Sequence, residues 1–185
     1  AADYDWNFFI ILSGTIDNLR KQTRNRFKKD LRNSEGGVLW KVLDFTADDK
    51  GFLADEMKLN TLSGSKNYAN RYLTVCLKNR TRLERLIDWL YSDPKRTSKL
   101  RIVVIDDEAD QASINTAEIT PDEEQERCAI NRMIVNLVNG KMSDGSTPPG
   151  KAKFQSMNYI SYTATPYANV LNEVPGESLY PKDFI

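Results

Sequence analysis

At 185 residues, 40% of them hydrophobic, the chain is long enough for one domain with a substantial buried core and too short for two. Lys plus Arg and Asp plus Glu each number 26, so no net charge draws the whole molecule to a polyanion, and any nucleic-acid contact must come from local patches. There is no histidine, which excludes Ser-His and Cys-His catalysis and histidine metal ligation, and leaves carboxylates, hydroxyls and a hard cation for any chemistry.

Taken in chain order, Trp6 to Leu12 is a short apolar run closed by Ser13-Gly14-Thr15, the profile of a buried strand ending in a turn. A helix follows, with Ile16, Leu19, Phe27 and Leu31 expected on its buried face and Ser13 or Thr15 as its cap. Val38 to Phe45 reads as a second strand and Tyr72 to Leu77 as a third, with the acidic and Gly/Ser-containing segment 46–70 between them the least readable part. Leu83, Leu86, Ile87 and Leu90 mark an amphipathic helix that stops near Asp93-Pro94. Arg101 to Ile105 is a fourth strand. Thr120-Pro121-Asp122-Glu123 is a capping box with proline at the first helical position, and its helix should bury Ile130, Met133, Ile134, Leu137 and Val138. Residues 140–155 read as a loop, and Met157 to Tyr162 as a last strand closed by Thr163-Ala164-Thr165-Pro166. Strands alternating with helices imply an α/β fold, a parallel sheet covered on both faces, with function at the C-terminal ends of its strands.

Cys76 and Cys128 lie far apart with no CxxC, so they are expected to be ordinary core residues. No apolar run reaches the length of a membrane span and the N-terminus lacks a basic-then-apolar leader, so a cytoplasmic chain without a membrane partner is the expectation.

The chemistry concentrates where Ile102-Val-Val-Ile105 gives way to Asp106-Asp107-Glu108. Carboxylates at the mouth of a buried strand suit a magnesium ion and a triphosphate, and two are needed. One holds the metal that bridges the phosphate oxygens, a task that suits Asp107. The other orients or deprotonates the attacking water, a task that suits Glu108. A strand whose terminal acids merely cap the next turn is the plain alternative.

Asp107-Glu108-Ala109-Asp110 resembles the acidic box of superfamily-two helicases, and the likeness extends further. Thr163-Ala164-Thr165 is similar to their S/T-A-T motif, which couples the ATP site to nucleic-acid binding. Phe9-Ile-Ile-Leu-Ser-Gly-Thr15, followed by Leu19 and Gln22, resembles their first nucleic-acid-contacting motif. Together, IILSGTIDNLRKQTRNR, VIDDEADQASINT and YISYTATPYANVL resemble one narrower family, the helicase-like "Z-one" domain of bacterial restriction endonucleases, over most of the chain. The resemblance implies one partial RecA-like domain of the P-loop NTPase type over residues 1–185, three layers with helices on both faces. It also implies ATP and magnesium as cofactors, with Asp107 and Asp110 on the nucleotide side. The implied partners are DNA, the remainder of the same polypeptide with a second motor domain, and a nuclease.

Motors of this type need a glycine-rich loop ending in Gly-Lys-Ser/Thr ahead of the Phe9 strand, so that loop is expected upstream of Ala1, and the chain alone should bind ATP weakly or not at all. Gly145-Ser-Thr-Pro-Pro-Gly150-Lys151 satisfies GxxxxGK. However, Ala152 replaces the hydroxyl residue, two prolines remove amide donors, and the segment follows the acidic motif, so it reads as a flexible connection.

Two basic stretches, Arg20 to Lys29 and Lys78 to Arg82, follow strand ends. In the helicases that the chain resembles these places touch the nucleic-acid backbone, which makes Thr15, Gln22, Thr23, Arg24 and Lys78 the candidate phosphate contacts; a solvated helix face is the alternative. Tyr162, Tyr167 and Asn169 flank the TAT motif and read as packing residues, with an interface role as the alternative.

Three rival functions need weighing. A phosphorelay receiver also carries an acidic pair and a later T-A dipeptide, but its pair stands at its first strand, whereas three strands precede Asp106 here. A metal-dependent nuclease would use Asp44, Glu56 and Lys58 as a D…ExK pattern, which is cheap in so charged a chain. A catalytically silent interaction module needs no motif at all.

Overall fold

The computed structural model describes residues 5–31, 39–43, 70–107 and 121–162. Among these residues five strands form one sheet: β1 (Phe8–Ser13), β2 (Leu39–Leu43), β3 (Asn70–Leu77), β4 (Arg101–Asp107) and β5 (Ser156–Tyr162). Their order across the sheet is β2-β3-β1-β4-β5 and every pairing is parallel. The fold is therefore α/β with a wholly parallel sheet. Parallel neighbours need long crossovers, and the helices supply them: α1 (Asp17–Asp30), α2 (Arg80–Tyr91), the short α3 (Pro94–Thr97) and α4 (Pro121–Val138).

The strands are apolar on both phases because both faces are packed. On one face Phe8, Ile10, Leu12, Tyr72, Cys76, Ile102 and Val104 pack with Leu83, Leu86, Ile87 and Leu90 of α2 and Ile130, Met133, Ile134 and Leu137 of α4. On the other, Phe9, Ile11, Leu73, Val75 and Val103 meet Phe27 of α1 and the adjoining Leu31. All five positions expected to be buried on the last helix lie in or against this core. The described residues contain no helix long and apolar enough to cross a membrane.

The first helix departs from expectation. Ile16 and Leu19 are 57% and 44% exposed, while Arg20 is 2% exposed. Ile16 is the N-cap, in extended conformation and outside the helix proper, and at roughly 100° per residue Leu19 stands about 80° round the axis from Phe27. Arg20 falls between Phe27 and Leu31 on that wheel and goes inside, its Nε 2.8 Å from the Asp17 carboxylate. Nor does a hydroxyl cap α1: Ile16 makes no side-chain cap, and Ser13 Oγ donates to the Cys76 carbonyl across the strands. Helix α2 does have a side-chain cap, Asn79, which accepts from the Arg82 amide. Of the two cysteines Cys76 is buried as expected, its thiol pushed up to about 12 by burial, but Cys128 is exposed on α4.

At the N-terminal edge of the sheet Asn7 ties two strands together. Its amide nitrogen donates to the Lys99 carbonyl at 2.9 Å and its amide oxygen accepts from the Arg101 amide at 2.9 Å.

Candidate functional site

Register places the chemistry. Leu12 of β1 pairs with Asp106 of β4, which pairs with Ser161 of β5, so the Ser13-Gly14-Thr15 turn, the acidic motif and the approach to Thr163-Ala164-Thr165 leave the sheet along one edge. Glu108, Asp110 and Thr163-Ala164-Thr165 themselves lie outside the described residues, as do Asp44, Glu56, Lys58, Tyr167 and Asn169.

Successive strand residues face opposite sides, so the two aspartates part company. Asp107, the last residue of β4, is exposed at the mouth. Asp106 is 3% exposed, in phase with Ile102 and Val104 of the α2/α4 side. Its Oδ1 lies 3.0 Å from the Lys78 ammonium, and its Oδ2 accepts from the Tyr159 hydroxyl at 2.9 Å. Burial pushes the Asp106 carboxyl above the usual carboxylate range, against the pull of the Lys78 ammonium and the Tyr159 hydroxyl. Burial, and then the neighbouring carboxylate, drive the Tyr159 phenol upward.

Lys78 is the least expected member. It stands just beyond β3, 4% exposed, and reaches over β1 to β4, roughly 10 Å across two strand spacings, which its four-carbon stem can span. The ammonium also donates to the Asp107 carbonyl at 2.7 Å. The sequence marked Lys78 as a surface phosphate contact; its charge is held inside. Neither Asp106 nor Tyr159 stood out in the sequence as a partner, because nothing local shows that residues 28 and 53 positions apart meet.

The other candidates sit on or before α1. Thr15 and Gln22 are exposed, and Thr23 and Arg24 are half-buried at its middle. The structure adds a cluster that the sequence reading missed: Asp17 draws in Arg20 at 2.8 Å, Lys21 at 2.9 Å and, from α2, Arg82 at 3.8 Å. Lys21 and Arg20 hold the Asp17 carboxyl down to about 2, by hydrogen bonds first and by charge second. The two basic stretches thus meet at the same edge as the acidic motif. Tyr162, read as packing, is 72% exposed: among the described residues β5 is an edge strand, and Asn158, Ile160 and Tyr162 occupy its exposed phase.

The GxxxxGK look-alike is at the wrong end. Gly150 and Lys151 form a short turn leading into β5, and Gln155 donates to the Leu100 carbonyl beside the start of β4. A strand of seven residues, roughly 20 Å, separates that end from Asp107.

As to a metal, among the described residues no cluster of three or more His, Cys, Asp or Glu gathers. With Asp106 engaged by Lys78 and Tyr159, Asp107 is the carboxylate of the described pair that is open to a cation. That suits magnesium, which is commonly held through one or two carboxylates and completed by phosphate oxygens and water. Comparison of the chain with protein-family models and with curated proteins finds no match.

Proposed function

We propose that the chain is part of an ATP-dependent nucleic-acid motor of the superfamily-two helicase type, with a RecA-like arrangement of its sheet, inside a larger protein linked to DNA restriction. The observation that carries the reading is the shared edge: an exposed Asp107 on a central parallel strand, flanked by the strand that leads to Ser13-Gly14-Thr15 and the strand that leads to Thr163-Ala164-Thr165. In open parallel sheets ligands bind outside the carboxyl ends of the strands. Asp107 would hold magnesium, which when bound neutralises charge on the phosphate oxygens. Glu108 orients and deprotonates water, and Asp110 stands on the nucleotide side. Thr163-Ala164-Thr165 couples this edge to nucleic acid. Thr15, Gln22, Thr23 and Arg24 contact the DNA backbone, where polar side chains position a strand without reading its sequence.

Lys151 is at the opposite end of the sheet and does not serve as the phosphate-holding lysine, which this reading assigns to a loop upstream of Ala1. The test is hydrolysis of ATP, with and without DNA, by protein extended upstream of Ala1. DNA-stimulated turnover is expected, with Glu108→Gln lowering it by about a hundred- to ten-thousand-fold while nucleotide still binds. Absence of any DNA-stimulated hydrolysis overturns the reading. Magnesium-dependent DNA cleavage lost in Glu56→Ala would replace it with the nuclease one.

A further inference from the structure

A buried lysine that bonds both a side chain and the main chain of the same strand does more than neutralise a charge. Lys78 Nζ sits 3.0 Å from Asp106 Oδ1 and 2.7 Å from the Asp107 carbonyl oxygen, so one ammonium grips two consecutive residues at the end of β4. The carboxylate that anchors it is itself fixed from the far side by the Tyr159 hydroxyl of β5 at 2.9 Å. All three side chains lie on the α2/α4 phase of the sheet, opposite to the phase of Asp107. The network holds the backbone from which the Asp107 carboxylate leaves, through the Asp107 carbonyl.

Apolar side chains would fill the same volume, and a buried ion pair is weak evidence for stability, since its replacement by apolar residues is commonly neutral or stabilising. The Asp107 carbonyl is the part that apolar residues could not serve. Asp107 is the last residue of β4, in register with Tyr162, and its carbonyl accepts from the Lys78 ammonium. Lys78 supplies the donor, from a strand two places away.

We propose that Lys78, anchored by Asp106 and Tyr159, is a positioning residue that fixes the end of β4 so that Asp107 is presented in one orientation to a divalent cation. The inference rests on the reading of Asp107 as a metal-holding carboxylate. Metal sites depend on such outer partners, whose loss weakens affinity by about ten- to a hundredfold.

The test uses the 185-residue chain with Mn²⁺ alone as probe, and compares it with K78M/D106L, in which both charges go together. Three quantities are read: the thermal midpoint, the backbone ¹⁵N order parameter at Asp107, and the Mn²⁺ concentration that half-broadens the amide signals around Asp107. The double variant should melt within a few degrees of the wild type or higher. Its order parameter at Asp107 should fall from the rigid range near 0.85 to below about 0.6, and its Mn²⁺ affinity should drop about tenfold or more. A merely structural network would leave the last two unchanged at unchanged stability, and that result overturns the proposal. Should the double variant fail to fold, K78Q/D106N, a neutral pair too short to span β1 and reach the Asp107 carbonyl, carries the same comparison. If Mn²⁺ broadens nothing near Asp107 in the wild type, the metal reading of Asp107 fails by itself, while the order parameter still decides whether Lys78 fixes the strand end.

Discussion

The two ends of the sheet solve the same problem with different chemistry. At the N-terminal end β1 and β4 are tied by a neutral amide, Asn7, which gives to the Lys99 carbonyl and takes from the Arg101 amide. At the C-terminal end the link runs from the end of β3 over β1 to β4, through a buried ammonium and carboxylate, Lys78 and Asp106, with Tyr159 behind them and Asp17 gathering Arg20, Lys21 and Arg82 nearby. Ion pairs occur at the N-terminal end too, Asp5 with the buried Arg71 at 3.8 Å and with Arg101 at 3.9 Å, but these are longer and their carboxylate is exposed, whereas Lys78 and Asp106 meet at 3.0 Å with both charges buried. Charges taken from water together are costly, and that is the difference between the two ends.

The comparison breaks most sharply if one partner of the ionic end is removed. Lys78→Met leaves the Asp106 carboxylate buried without its cation and should destabilise the chain by about 3–5 kcal/mol in urea denaturation. The neutral amide should matter less: Asn7→Ala leaves the Arg101 amide and the Lys99 carbonyl without their partner, at about 1–3 kcal/mol. Equal losses for the two variants would erase the distinction. Tyr159→Phe removes a hydrogen bond to a charged group and should cost about 1.5–3 kcal/mol, less than Lys78→Met, because the ion pair survives it.

The pH response sharpens the contrast further, since the two carboxylates of the ionic end shift in opposite directions. Asp106 holds its proton more tightly in the fold than in the unfolded chain, so its contribution falls as pH rises from its unfolded value near 3.9 towards its raised folded value. Asp106→Asn should flatten that part of the stability curve. Asp17, held down to about 2, acts the other way: its contribution is present above about 3.9 and is lost as pH falls towards 2. Its side chain is 37% exposed, so solvent screening leaves this the smallest effect, within about 0.5 kcal/mol, and Asp17→Asn should remove it. Denaturation curves taken at intervals from pH 2 to 7 check both signs.

What was legible in the sequence follows from the range of the forces involved. The strands β1, β3, β4 and β5 and the helices α2 and α4 announce themselves through apolar runs and helical spacing, all local signals. The location of Asp107 at a strand mouth was equally readable, because an apolar run ends there. Pairings were not. Lys78 looked like one more cation in a basic stretch, since nothing within its neighbourhood tells that Asp106 lies across β1. Arg20 misled for a related reason: a basic residue on a basic helix reads as exterior until its guanidinium meets Asp17 and it turns in place of Leu19. Tyr162 misled in the other direction, since the sequence does not say that β5 is outermost among the described strands.

The most direct measurement of the central claim sets the two adjacent aspartates against each other in DNA-stimulated ATP hydrolysis by protein extended upstream of Ala1. Asp107→Asn should abolish turnover while leaving the melting temperature unchanged, because its carboxylate is exposed and, in the proposed function, would hold the metal. Turnover that survives Asp107→Asn undiminished would contradict the account.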